Sequence, residues 1–112
     1  MIVDKGKKQL AAKVKNTFVY IAVGDGGDDT STSQETLDNE VYRVSSIPTI
    51  VGNTLIYSAT FTGSNLTSNI ISELGIFDED EGGNMLSRVN FNSIGPLASS
   101  ESISFTFRLE VE

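Results

Sequence analysis

With 112 residues and no His, Cys or Trp, this chain has room for one modest core and lacks the usual proton shuttle, thiol nucleophile and soft metal ligands. No disulfide can reinforce the core, so stability must come from apolar packing and from contacts with other subunits. The net charge of −7 is unevenly spread: Lys5, Lys7, Lys8, Lys13 and Lys15 against Asp4 make the first fifteen residues +4, which leaves −11 for the rest. Such a body repels nucleic acid, and five lysines without interleaved aromatics or arginines are a weak nucleic-acid signature, so an acidic protein neighbour is the expected partner of the basic end.

In chain order, Asp4 can cap a short helix through Gln9, Leu10, Ala11, Ala12, Lys13 and Val14, with Leu10, Ala11 and Val14 on one side and lysines on the other. Residues 1–16 therefore form either a basic arm or a short helix resting on a sheet, and residues 17–112 form the domain proper. Met1-Ile2-Val3-Asp4 followed by lysines lacks the apolar stretch of a secretory signal, and no run is long enough to cross a bilayer; a cytoplasm is the expected place of synthesis.

Phe18-Val19-Tyr20-Ile21-Ala22-Val23 is apolar on both faces, as a central strand covered on both sides would be. Gly24 to Ser33 is loop by composition, with Asp25, Asp28 and Asp29 among glycines and hydroxyls. Residues 40–45 read as a strand, pairing breaks near Ile47 and Pro48, and Gly52-Asn53 supplies a turn. Leu55, Tyr57, Ala59 and Phe61 then alternate with polar neighbours, the period-two pattern of a strand with one face on the core.

The stretch 70–91 reads as a β-hairpin: Ile70-Ile71-Ser72-Glu73-Leu74-Gly75-Ile76-Phe77, an acidic Gly-Gly loop, then Met85-Leu86-Ser87-Arg88-Val89-Asn90-Phe91. Last, Ile103, Phe105, Phe107, Leu109 and Val111 alternate without error against polar residues, which predicts a strand with one buried and one wet face. At about 1.5 to 3 kcal/mol for each buried side chain, this strand should be a principal contributor to the core. Short strands separated by turn signals indicate an all-β protein, an antiparallel β-sandwich with a short N-terminal helix or arm.

Four segments in order, Tyr20-Ile21-Ala22-Val23-Gly24-Asp25-Gly26-Gly27, Leu37-Asp38-Asn39-Glu40-Val41-Tyr42-Arg43-Val44, Ile71-Ser72-Glu73-Leu74-Gly75-Ile76-Phe77-Asp78 and Leu86-Ser87-Arg88-Val89-Asn90-Phe91, resemble the N-terminal module of bacteriophage tail-collar fibre proteins and related small stand-alone tailed-virus proteins. The likeness spans nearly the whole chain but not the shaft and receptor-binding tip that follow in long fibres. It implies a virion structural protein, of tail fibre, collar or capsid-decoration type, that docks on the particle as a homo-oligomer. The host-recognition role of such tips is not carried over, and no enzymatic activity is expected, because no constellation of nucleophile, base and orienting group can be named from these residues.

Several residues attract a site reading. Asp78, Asp80 and Asn84 in the loop Asp78-Glu79-Asp80-Glu81-Gly82-Gly83-Asn84 offer oxygens of the kind calcium prefers, although Val89 stands where a helix-loop-helix calcium site needs its terminal Glu. Tyr20, Tyr42 and Tyr57 are expected to be buried with their hydroxyls paired, not exposed as a sugar-stacking platform. Glycan binding or adhesion through the acidic loops is the alternative function; hydrolysis would need two carboxyls across an aromatic-lined cleft, which nothing here supplies. Arg43 and Arg88, scarce cations in an acidic body, are expected to pair with Glu40 and Glu73, as surface pairs contributing on the order of 1 kcal/mol at most. Together with the five lysines they form the expected interface set, and the C-terminal strand is the second expected contact element if its edge is unpaired.

Overall fold

The computed structural model describes residues 1–27, 32–66 and 70–112. Among the described residues the fold is all-β apart from one N-terminal helix, α1 (Asp4–Thr17), and a 3-10 turn at Gly63–Asn65. The strands are β1 (Tyr20–Gly24), β2 (Glu40–Ser45), β3 (Thr49–Val51), β4 (Thr54–Thr62), β5 (Ile71–Phe77), β6 (Met85–Ile94) and β7 (Ser102–Glu110). They form two antiparallel sheets, ordered β2-β1-β5-β6 and β3-β4-β7.

The sheets stack on one main core, in which Ile21, Val23, Leu74 and Ile76 of the first meet Leu55, Tyr57 and Phe61 of the second. The chain changes sheets at Ser46–Pro48, where Pro48 cannot donate to a ladder; Ser46 instead anchors the crossing, its N–H donating to Val19 and its hydroxyl to Ser58. The Gly52-Asn53 turn joins β3 to β4, with Gly52 at φ +65°, the left-handed conformation that favours glycine. The three-residue β3 is too short to show any periodicity.

α1 takes the second of its two expected forms: Ala11 is fully buried in the main core and Val14 packs beside it. Two details differ from expectation. The N-cap is Val3, with no side-chain capping bond, and Asp4 is the first helical residue, where its charge suits the helix N-terminus. Leu10 lies 44% exposed, so the apolar stripe is narrower than its sequence suggested.

β1 is covered on both faces, as its composition requires. Ile21 and Val23 face the sandwich, whereas Ala22 packs with Leu37 and Phe77 in a second, smaller cluster on the outer face of the first sheet. Its cover is therefore the segment before β2, through Leu37, rather than a third layer of regular structure. Tyr57 is buried with its hydroxyl donating to the Phe18 carbonyl at 2.8 Å, and burial pushes that hydroxyl up to about 12. Tyr42 departs from expectation: at the edge of the first sheet it is 36% exposed while its ring meets Phe61 edge-on.

β7 alternates as expected, but its apolar row is half-buried rather than buried. The reason is topological: β6 and β7 are both edge strands, so this row packs against β4 and the facing sheet while one flank stays open.

Candidate functional site

The four segments singled out in the sequence meet at one residue, Glu73. It lies on the outer face of β5 and is completely buried. Its carboxylate accepts hydrogen bonds from the backbone N–H groups of Gly26 (2.9 Å), Asp38 (3.0 Å) and Asn39 (2.9 Å), and from Arg88 Nε (3.2 Å) and Nη2 (2.7 Å). A buried carboxylate is tolerated because its lone pairs are filled by donors, one of them a full charge.

Local sequence explains how these groups come so close. Glu73 is opposite Asn90 and Arg88 is opposite Gly75, so the ion pair forms along the diagonal of the β5–β6 ladder, over a position without a side chain. A Cβ on Gly26 would collide with the Glu73 carboxylate and with Asp38. Arg88 also reaches Asp38 at 3.2 Å, and Asn90 donates to the Gly27 carbonyl at 2.6 Å. The pair is thus no surface contact: the Arg88 side chain is 4% exposed and that of Glu73 0%, and the modest value expected of an exposed pair does not apply. Burial alone would raise the Glu73 carboxyl, but the N–H groups of Asn39 and Asp38, Arg88 and the Gly26 N–H outweigh it and hold the group below its ordinary value.

Arg43 forms a second clamp. Its guanidinium stacks 3.8 Å from the Phe77 ring centroid, engages both oxygens of Glu40 at 3.0 and 2.6 Å, and donates to the carbonyls of Glu79 (2.8 Å) and Gly82 (2.9 Å). Gly82 and Gly83 both adopt positive φ, which turns the acidic loop so that its carbonyls face the arginine. Asp78 closes the loop by accepting from Asn84 N (2.7 Å) and Nδ2 (2.9 Å), and these bonds, the side-chain one foremost, hold its carboxyl below the ordinary value.

The structure therefore brings Asp78 and Asn84 together as partners of each other, leaves Asp80 exposed, and gives two loop carbonyls to a guanidinium. Among the described residues no group of three or more carboxylate side chains is arranged to hold a metal ion. In the other acidic loop Asp25 accepts from Asn39 Nδ2, while Asp28 and Asp29 lie outside the described residues. Arg43→Ala should loosen the acidic loop without unfolding the domain: amide exchange over residues 79–84 is expected to accelerate while that of β1 stays unchanged, and equal rates at both sites in variant and parent would contradict the clamp.

Of the residues expected at an interface, Arg43 and Arg88 turn inward and hold the subunit's own loops. Lys5, Lys8 and Lys13 are exposed on α1, and Lys7 and Lys15 are half-buried. Met1, Ile2 and Val3 ahead of α1, Ile47 ahead of β3 and Val51 at the end of β3 are apolar and exposed. A shallow polar hollow is lined by Asp25, Gly26, Gly27, Ser72, Phe91, Asn92 and Ser93, but the Phe91 ring packs 5.6 Å from Phe105 and is not a free stacking surface.

Sequence reasoning found the Glu73–Arg88 pairing and missed its role. The available signal was a single carboxylate inside the mostly apolar run Ile71–Phe77, together with glycines at 24 and 26 that leave room around it. Comparison with known proteins finds no matching family model and no significantly similar curated protein.

Proposed function

We propose that this chain is a structural component of a tailed-virus particle, of fibre, collar or decoration type, which self-associates and is held in place by other virion proteins. The observation supporting this reading is the convergence at Glu73. The segments that resemble the tail-collar fibre module lie far apart in sequence, yet they supply the backbone donors, the carboxylate and the arginine of one buried network. Residues serving one structural purpose together are the sort that a module keeps as a set, which supports reading the four segments as parts of one module. Peptide mass spectrometry of gradient-purified virus particles from producing cells should find the chain in several copies per particle; its recovery only in the soluble fraction would refute the proposal.

The basic end is the element we assign to docking on an acidic neighbour. Because Ala11 and Val14 belong to the main core, removing residues 1–15 would open the domain, and charge substitution is the sound test. Replacing exposed Lys5, Lys8 and Lys13 by Ser should leave the melting temperature within a few degrees and weaken docking, with a smaller salt dependence than the parent shows, since exposed attractions are screened over about 8–10 Å near physiological ionic strength. Full docking by the triple variant would remove α1 from the account.

A further inference from the structure

Among the described residues the sandwich has four strand edges, and three of them are guarded. β2 carries the Glu40–Arg43 pair and a register irregularity opposite Val23 and Gly24; β3 is three residues long; β6 has two irregularities against β5 and carries Arg88. Charges, bulges and shortness are the devices that discourage an edge from pairing with another chain. β7 differs. Its register with β4 is unbroken for nine residues, from Thr54↔Glu110 to Thr62↔Ser102, it contains no Pro and no bulge, and its only charges, Arg108 and Glu110, stand at its C-terminal end. Its other side pairs with no strand among the described residues.

The chemistry of this edge suits a copy of itself. Ser102 to Phe107 is uncharged, and on a body that carries −11 outside its first fifteen residues two copies approach most easily where neither presents charge. On its core side Ile103, Phe105, Phe107 and Leu109 are half-buried for want of a neighbour on that flank. We propose that β7 pairs antiparallel with β7 of a second copy about a two-fold axis at Thr106, joining two three-stranded sheets into one of six. This register overlaps the whole strand. It sets Phe105 opposite Phe107 and Ile103 opposite Leu109 on the core side, Ser104 opposite Arg108 and Ser102 opposite Glu110 on the wet side, and opposes no like charges. The inference rests on the reading of the chain as a self-associating component and names the surface involved.

Thr106 is exposed and faces itself across the axis, so a charge placed there meets its own copy without disturbing the core. Sedimentation equilibrium of the parent should show mass rising with concentration from 12.0 kDa to twice that value. Thr106→Lys and Thr106→Glu should each melt like the parent and associate at least several-fold more weakly, whereas their equimolar mixture should recover association. Parent-like association of both single variants, or a mixture no tighter than either alone, would overturn the pairing while leaving self-association by another surface intact. A parent that stays at 12.0 kDa at every concentration would overturn both this pairing and the reading beneath it.

Discussion

Arg88→Met should cost the folded state about 3–5 kcal/mol, because it leaves the Glu73 carboxylate buried without its counter-charge. For a domain of this size that corresponds to a fall in melting temperature of roughly 15–30 °C. Glu73→Leu should cost at least as much: besides Arg88 it orphans the Gly26, Asp38 and Asn39 N–H groups that the carboxylate receives. The two losses should not add, since each removes the same pair, and a double-mutant cycle is expected to show coupling above about 1 kcal/mol. Acid should reproduce part of the effect. A carboxyl held below its ordinary value when folded stabilises the domain above the unfolded carboxylate range and loses that contribution as pH falls through its lower folded value. The parent should therefore lose melting temperature progressively below about pH 4, and Glu73→Gln should show a shallower loss. Thermal melts of parent and variants between pH 2 and pH 7 check both parts; an Arg88→Met protein that melts like the parent would mean that the pair is not buried.

Phe61→Ala should cost about 3–5 kcal/mol, comparable to the loss of the ion pair. Phe61 is 1% exposed at the centre of the main core, with the rings of Phe105 at 6.0 Å and Tyr42 at 6.3 Å, and its removal leaves a cavity that β-sheet neighbours cannot collapse to fill. Phe107→Ala, on the half-buried row of β7, should cost less, about 1.5–3 kcal/mol, because that side chain already meets solvent on its open flank. Urea denaturation of the two variants side by side measures the difference. Equal losses would mean that β7 is covered as fully as β4, contrary to its place at the edge.

Most strands were legible because period-two alternation reports directly on which face is buried. The β4 and β7 patterns gave their positions to within a residue or two, and the β5–β6 hairpin was marked by its Gly-Gly loop, although β6 runs three residues beyond Phe91 to Ile94. What alternation does not carry is the identity of the neighbour. It could not show that β7 ends its sheet, so a regular row was expected to be buried when it is only half-buried. Nor could it show that Leu37, one apolar residue in a segment of turn-forming composition, covers Ala22 and Phe77.

The site was legible in its members and not in its depth. Glu73 and Arg88 stand fifteen residues apart on a recognisable hairpin, and their pairing was expected from directly opposite positions, whereas they meet along the diagonal of the ladder. Their burial depends on Gly26, Asp38 and Asn39 folding over the outer face of the sheet, a contact between segments more than thirty residues from Glu73 that no local pattern records. Likewise the acidic loop had the composition of a cation site, and its carbonyls do face a cation, which is Arg43 of the same chain.

Self-association is what joins this fold to the proposed role, and light scattering of the intact chain across a wide concentration range tests it most directly. A mass climbing to an integral multiple of 12.0 kDa is the predicted result, and a constant 12.0 kDa at every concentration would contradict the account.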